Sequence, residues 1–288
     1  MAVESWMMVR MNGYMNAGQG RVTVMTMELF MKLVKLRMKE KLEYRGDFLL
    51  GIIAQIINYG ASYVVIWLFL RKFDTIAGWG WSEIALLYSI GLFTYAMGAS
   101  FTFVQMRDLE NQVRGGTFDG ILIKPVNSYF YVLCRGFNVA YIAHLAISGS
   151  MLVWAMGQLE VDWTWVKVIY FVLALLSGAL IQCGIMTMIG ASSFIWVRSG
   201  FLFSLFFKLK DFISYPISVY GVFVQVLLIF IVPLAFVNFF PGAFLLSKET
   251  ALLPEWTAWL APLVGPIVFW VGYRVFMYCS MKYQGAGG

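Results

Sequence analysis

The sequence predicts an all-α, polytopic membrane protein with six transmembrane helices, an N-terminal amphipathic interfacial helix and a re-entrant segment before the last span. Three observations predict it. Of 288 residues, 61% are hydrophobic and only 12% charged, against about 25% charged in an ordinary soluble domain, and the mean hydropathy is +0.77. There is too little polar surface here to cover a water-soluble globule, so the excess apolar surface faces lipid or other subunits. Long stretches lack Asp, Glu, Lys and Arg altogether, and about 20 apolar residues in helix cross a hydrocarbon core of about 30 Å. Inside lipid each backbone N–H and C=O must find its partner within the segment, which makes the spans helices.

Taken in order, residues 1–26 read as a mobile N-terminal tail. They hold Gly13, Gly18 and Gly20 and no apolar core long enough for a signal peptide. Residues 27–47 form a cytoplasmic amphipathic helix. Met27, Met31, Val34, Met38 and Leu42 recur at helical spacing, with Glu28, Lys32, Lys35, Lys39 and Glu43 on the other face. A basic face leading into the membrane belongs in the headgroup plane, against anionic lipid. The spans then occupy residues 48–282, and 283–288 are a C-terminal tail.

Uncharged runs place the first four crossings at Phe48–Leu70, Ile84–Met106, Gly136–Leu159 and Val168–Val197. Phe212–Leu246 is uncharged but too long for one crossing, and it contains Pro216, Pro233 and Pro241. The expected fifth span runs from about Pro216, a residue suited to a first helical turn, to Asn238. Pro233 kinks it, and Pro241 and Gly242 end it. Gly242–Leu246 is too short to return and reads as a re-entrant or interfacial turn. Trp256–Tyr273 is the sixth crossing, continuing helical to about Lys282.

Orientation follows the positive-inside rule. With the N-terminus inside, all of the 21 Lys and Arg residues except Arg71, Lys72, Lys167 and Lys248 fall on the cytoplasmic side. Both termini are then cytoplasmic, and Trp79, Trp81, Trp163, Trp165 and Trp256 mark the outer interface. The net charge of +6 needs no nucleic acid, because the basic residues are spread around one membrane face.

Several function classes drop out. No phosphate-binding loop is present: Ile121 and Leu122 follow Gly120 where Lys and Ser or Thr are needed. There is no dinucleotide fingerprint, no HExxH and no nucleophile elbow. Cys134, Cys183 and Cys279 are odd in number and widely spaced, so no disulfide framework or zinc site follows. A single histidine, His144, cannot make a cluster. The chain is therefore read as carrying no catalytic, metal or cofactor site of its own.

Within the spans His144 is the only titratable group of the kind that ion-coupled transporters place near the midplane. The remaining candidates for lining a path are Gln55, Asn58, Gln105, Gln182 and Gln225, neutral groups that equally well join helices. Gly-Ala-Ser triplets at Gly60–Ser62, Gly98–Ser100 and Gly190–Ser192 mark close helix approach. The loop from Arg107 to Asn127 opens with a short polar helix, Asp108–Arg114. Its acidic start and basic end suit the helix dipole, and Gly115–Gly116 stops it.

Val113–Leu133, VRGGTFDGILIKPVNSYFYVL, resembles the G-x-x-D-x-L-L-x-[KR]-P segment of bacterial ABC export permeases of the second type. Tyr215–Leu246 is similar to a Tyr-Pro … Pro-x-Ala-Phe-x-Asn-[YF]-[YF]-Pro-[AG] stretch of one uncharacterised subfamily, as is the terminal YQGAG, Tyr283–Gly287. The likeness runs from about Met27 to Gly287, and Gly115–Gly116 makes a looser loop than the family pattern. The resemblance implies a permease subunit in the bacterial inner membrane. It would pair with a second, homologous permease, and separate ATPase subunits would hold the ATP and magnesium. It implies a coupling helix meeting the ATPase at Arg107, Asp108, Glu110, Asn111, Arg114, Gly115, Gly116 and Asp119, helped by the amphipathic helix. It also implies an extracellular gate over Asn238–Leu253, with Pro233, Asn238, Pro241 and Gly242 as its shaping residues. The competing reading is a secondary transporter or channel that needs no ATPase and depends on His144.

Overall fold

The computed structural model describes residues 45–124, 126–196, 198–250 and 252–283. The tail and nearly all of the amphipathic helix expected before the first span lie outside these residues, as do the last five residues. Among the described residues all regular structure is helical.

Helix α1, Arg45–Phe73, carries the first apolar run. A tight reversal follows, in which Asp74, Ala77 and Gly78 take positive φ and Ile76 and Trp79 exchange backbone hydrogen bonds at 3.0 Å. Helix α2, Trp81–Arg114, is 34 residues long. Its start is fixed by Glu83, whose carboxylate accepts the Gly80 N–H at 2.8 Å. Short helices α3 (Asp119–Leu122) and α4 (Ser128–Arg135) turn the chain, the second capped by the Asn127 side chain. Then come α5, Tyr141–Gln158, α6, Trp165–Ala191, and the single turn α7, Ser193–Trp196.

Next comes α8, Gly200–Phe212. After a 3-10 turn at Ile217–Val219, α9 (Val222–Val226) runs into a π turn at Leu227–Ile231. Helix α10 is Ala235–Leu246, and a 3-10 turn at Glu255–Leu260 leads into α11, Ala261–Lys282.

The frame is three parallel helices, α2, α6 and α11, all running from the end marked by Trp81 to the end marked by Arg114. Helix α5 packs antiparallel on α2. Lipid gives no hydrophobic drive for helices to associate, so they must touch closely to gain packing energy. Glycine permits this here. A Cβ on Gly98 of α2 would sit 2.7 Å from the Ala179 carbonyl oxygen of α6, and one on Gly184 of α6 would sit 2.6 Å from the Val268 carbonyl oxygen of α11. Hydrogen bonds stitch the same seams: Cys183 Sγ donates to Gly98 O at 3.3 Å, and Ser177 Oγ bridges Ala261 O and the Gly265 N–H. Two of the three Gly-Ala-Ser triplets, at Gly98 and Gly190, lie at these crossings, while Gly60 faces open space.

Among the described residues, four helices are long and apolar enough to cross a membrane: Leu49–Phe73, Trp81–Arg114, Trp165–Trp196 and Glu255–Lys282. A fifth candidate is the bent pair Val222–Ile231 and Ala235–Leu246, with 104° between its halves. Helix α5 is 18 residues long but carries Tyr141, His144, Ser148 and Ser150, and it is not among the four. Its helix begins only at Tyr141, because Gly136 separates it from α4.

The fifth crossing departs most from the sequence expectation. No continuous helix spans Pro216–Asn238, and Pro241 and Gly242 do not end one: both lie inside α10. Pro241 stands in the interior of α10, where it removes one backbone hydrogen bond, and the helix continues through it packed on α2 and α6, with Gly242 against the Leu87 side chain. The breaks fall instead at Ile213–Gly221 and at Val232–Leu234, the second beside Pro233 as expected for a kink. The uncharged run was also measured from the wrong start, for α8 enters the bundle ahead of Phe212.

Candidate functional site

Helix α8 climbs α2 from its Arg114 end. The Glu110 carboxylate accepts the backbone N–H of Ser199 at 2.9 Å and of Gly200 at 3.0 Å. It thus caps an α8 that has no side-chain cap of its own. Phe203 and Phe207 then pack edge-on against Phe103, with ring centres 5.9 and 5.4 Å apart. One turn higher, Lys210 Nζ lies 4.4 Å from the centre of the Tyr95 ring, a cation–π contact. Tyr95 is about 21 Å along α2 from Trp81 at about 1.5 Å per residue. At the top of α8, Asn238 Nδ2 donates to Ile213 O at 2.6 Å and to Leu87 O at 3.0 Å. One amide therefore ties the ends of α8, α2 and α10 together.

Phenols surround this level. The Tyr95 and Tyr141 hydroxyls are 3.3 Å apart, and the His144 ring lies 4.8 Å from both Tyr59 and Tyr141. Tyr63 bonds Ser89 at 2.8 Å and meets Tyr88 edge-on. A narrow cleft opens among Tyr88, Gly91, Lys210, Ser214 and Asn238. Among the described residues no group of His, Cys, Asp and Glu could hold a metal ion.

The sequence-derived path residues are not gathered into one channel. Gln182, fully buried, donates to Thr94 Oγ1 at 2.9 Å and so joins α6 to α2. Gln105 donates to the Gly136 carbonyl, and Gln225 to Tyr220 O at 2.7 Å. Gln55 is half-buried and Asn58 exposed on α1. Only His144 belongs to the tyrosine cluster. Lys210 and Asp211, expected in a loop between spans, lie on α8, with Lys210 at the level of Tyr95 on α2. The apolar run Gly200–Phe207 was the available signal. It is a half-length span, and a search for full-length ones passes over it.

The expected coupling segment is also placed differently. Asp108–Arg114 is no separate helix: it is the last two turns of α2, which ends at Gly115 and turns at Gly116, φ +66°. Arg107, Asp108, Asn111, Arg114 and Gly115 are exposed, whereas Leu109, Val113 and Phe118 are buried. Asp108 is held by Gln112 Nε2 at 2.9 Å, and Asp119 begins α3. Glu110 points inward, onto α8.

At the Trp81 end, Ser247 takes φ +52° and stops α10. Lys248 Nζ then reaches Glu83 at 2.5 Å and Gly78 O at 2.6 Å, over the Trp79 ring. Lys167 Nζ reaches Leu245 O at 3.3 Å.

Residues 56–287 match the family model described as ABC-2 family transporter protein. No curated protein and no solved structure matches the chain.

Proposed function

The chain belongs to the ABC-2 transporter family, and from that premise we propose that it is the permease subunit of an ATP-driven exporter. The family match over nearly all of the described helices carries this reading. The Arg114 end then faces the cytoplasm and both termini lie inside, in a bacterial inner membrane. ATP and magnesium belong to separate ATPase subunits below, and a second, homologous permease completes the path.

The exposed face of Arg107, Asp108, Asn111 and Arg114 is where ATPase closure pushes. Because this face is continuous with α2, and α2 is locked by glycine contacts to α6 and through it to α11, the push rocks the frame as one body. Glu110 carries the movement into α8. The segment from α8 to α10, broken twice and held at its knot by Asn238, is the part that deforms. Lys248 and Glu83 close its outer end, the region of the expected gate.

The test is to purify the chain from its native membrane in mild detergent. An ATPase subunit co-eluting in fixed ratio supports the reading. Solute movement by the chain alone in proteoliposomes, with no nucleotide-hydrolysing companion, refutes it.

A further inference from the structure

The last turns of α2 and the short helices after it enclose a cavity of about 140 Å³. Asp108 and Gln112 stand on one wall and Arg135 on another, with Val104, Ile121 and Val132 as its apolar surface. A cavity of about 150 Å³ takes up a benzene molecule, so this one has room for a group of about six non-hydrogen atoms.

Local packing builds the site. Gln105 of α2 is buried and donates to the Gly136 carbonyl just past the end of α4. Only glycine allows this approach, because a Cβ on Gly136 would overlap the Gln105 amide. Asp108 is fixed on its own helix, its two carboxylate oxygens accepting from Gln112 Nε2 at 2.9 Å and Asn111 Nδ2 at 3.2 Å. Arg135 lies in the last turn of α4, where the helix dipole favours a cation. Among the described residues its guanidinium makes no hydrogen bond, ion pair or ring contact, and it does not reach Asp108. Both side chains are exposed, so a molecule entering the cavity meets both charges.

The opposite signs select the ligand. A lone anion on Arg135 also faces Asp108, and a lone cation on Asp108 also faces Arg135, whereas a zwitterion gains at both ends. The guanidinium fork matches phosphate oxygens, and a carboxylate accepts N–H from a primary ammonium.

We infer that the cavity between α2, α3 and α4 binds a zwitterion of the phosphoethanolamine class, with its phosphate on the Arg135 guanidinium and its ammonium on the Asp108 carboxylate. The link between the two charges lies against Val104 and Val132. This goes beyond the exporter reading and does not rest on it, since binding here needs no ATPase.

The full-length chain in neutral detergent is titrated with glycerophosphoethanolamine, glycerophosphocholine, ethanolamine, inorganic phosphate and dihexanoyl phosphatidylethanolamine, with binding read by isothermal calorimetry. Glycerophosphoethanolamine should bind saturably. Glycerophosphocholine, whose quaternary nitrogen has no N–H to donate, should bind at least about tenfold more weakly, as should ethanolamine and inorganic phosphate, which carry one charge each. Asp108→Asn and Arg135→Gln should each weaken glycerophosphoethanolamine about tenfold. Arg114→Gln, at an exposed arginine that does not line the cavity, makes the same change in net charge as Arg135→Gln and should bind like wild type. Tighter binding of dihexanoyl phosphatidylethanolamine than of glycerophosphoethanolamine assigns the zwitterion to a lipid headgroup, and equal or weaker binding assigns it to a free molecule; both support the site.

No saturable binding of either ethanolamine compound overturns the inference, and so does equal binding of glycerophosphoethanolamine and glycerophosphocholine by the wild-type chain, without any variant. Inorganic phosphate or ethanolamine binding as tightly as the zwitterion overturns it, as does equal loss in Arg135→Gln and Arg114→Gln. A failed co-purification with an ATPase would sink the exporter reading and leave this site standing, and the reverse also holds.

Discussion

The two halves of the bundle are built on opposite plans. In the α2–α6–α11 frame the helices are unbroken and glycines set the backbones in contact, and the buried share of the most apolar stretch falls from 78% in α2 through 61% in α6 to 22% in α11. In α1 the corresponding share is 11%, and in α8–α10 the chain breaks twice, turns by 104° and exposes large apolar side chains such as Phe230 and Ile231. Lys210, over the Tyr95 ring, and Asp211 after it sit on the broken side. Packing energy and polar function are thus segregated. One side holds its shape because any shift opens backbone contacts, and the other side can bend because its ends are tied by a few polar bonds.

Glycine substitution should break this comparison most visibly. Gly184→Val drives a side chain into the Val268 carbonyl and should cost about 3 kcal/mol, seen as loss of a monodisperse species in size-exclusion chromatography. Gly60→Ala, facing open space on α1, should be tolerated or should stabilise by up to about 1 kcal/mol. Equal effects would erase the distinction between frame and periphery.

A smaller effect is expected at the joint between the two sides. Glu110→Ala leaves the first N–H groups of α8 without an acceptor and should cost about 1–2 kcal/mol in thermal unfolding. It should lower nucleotide-driven transport while ATPase binding persists. Smallest is the outer tie. Lys248 and Glu83 are about a quarter and a fifth exposed, so Lys248→Met should cost about 1 kcal/mol or less, and added salt should weaken the wild-type chain toward it.

The helical membrane class, the long α2, α6 and α11 and the kink beside Pro233 were legible because apolar runs and proline act locally. Trp81, Trp163 and Trp256 fall near the starts of the three parallel helices α2, α6 and α11. The path of α8 was not legible. A half-length apolar run followed by Lys208 and Lys210 looks like a cytoplasmic loop until Glu110 and Asn238 pin its two ends against α2. The tyrosine cluster was hidden for the same reason, since Tyr59, Tyr95 and Tyr141 come from three helices and meet only when those pack. Pro241 misled because the packing of α10 on α2 and α6 carries the helix through a proline, and that packing involves residues far apart in sequence.

The central claim is that the frame moves as one body while α8 shifts against it. Pulsed electron paramagnetic resonance on the complex with its ATPase tests this, with spin labels on a cysteine-free chain at exposed sites. One pair is Leu173 on α6 with Leu263 on α11, and the other is Leu205 on α8 with Tyr278 on α11. Between the nucleotide-free and vanadate-trapped states, the first distance should stay constant and the second should change by several ångströms. Two distances that both hold still, or that change alike, would contradict the account.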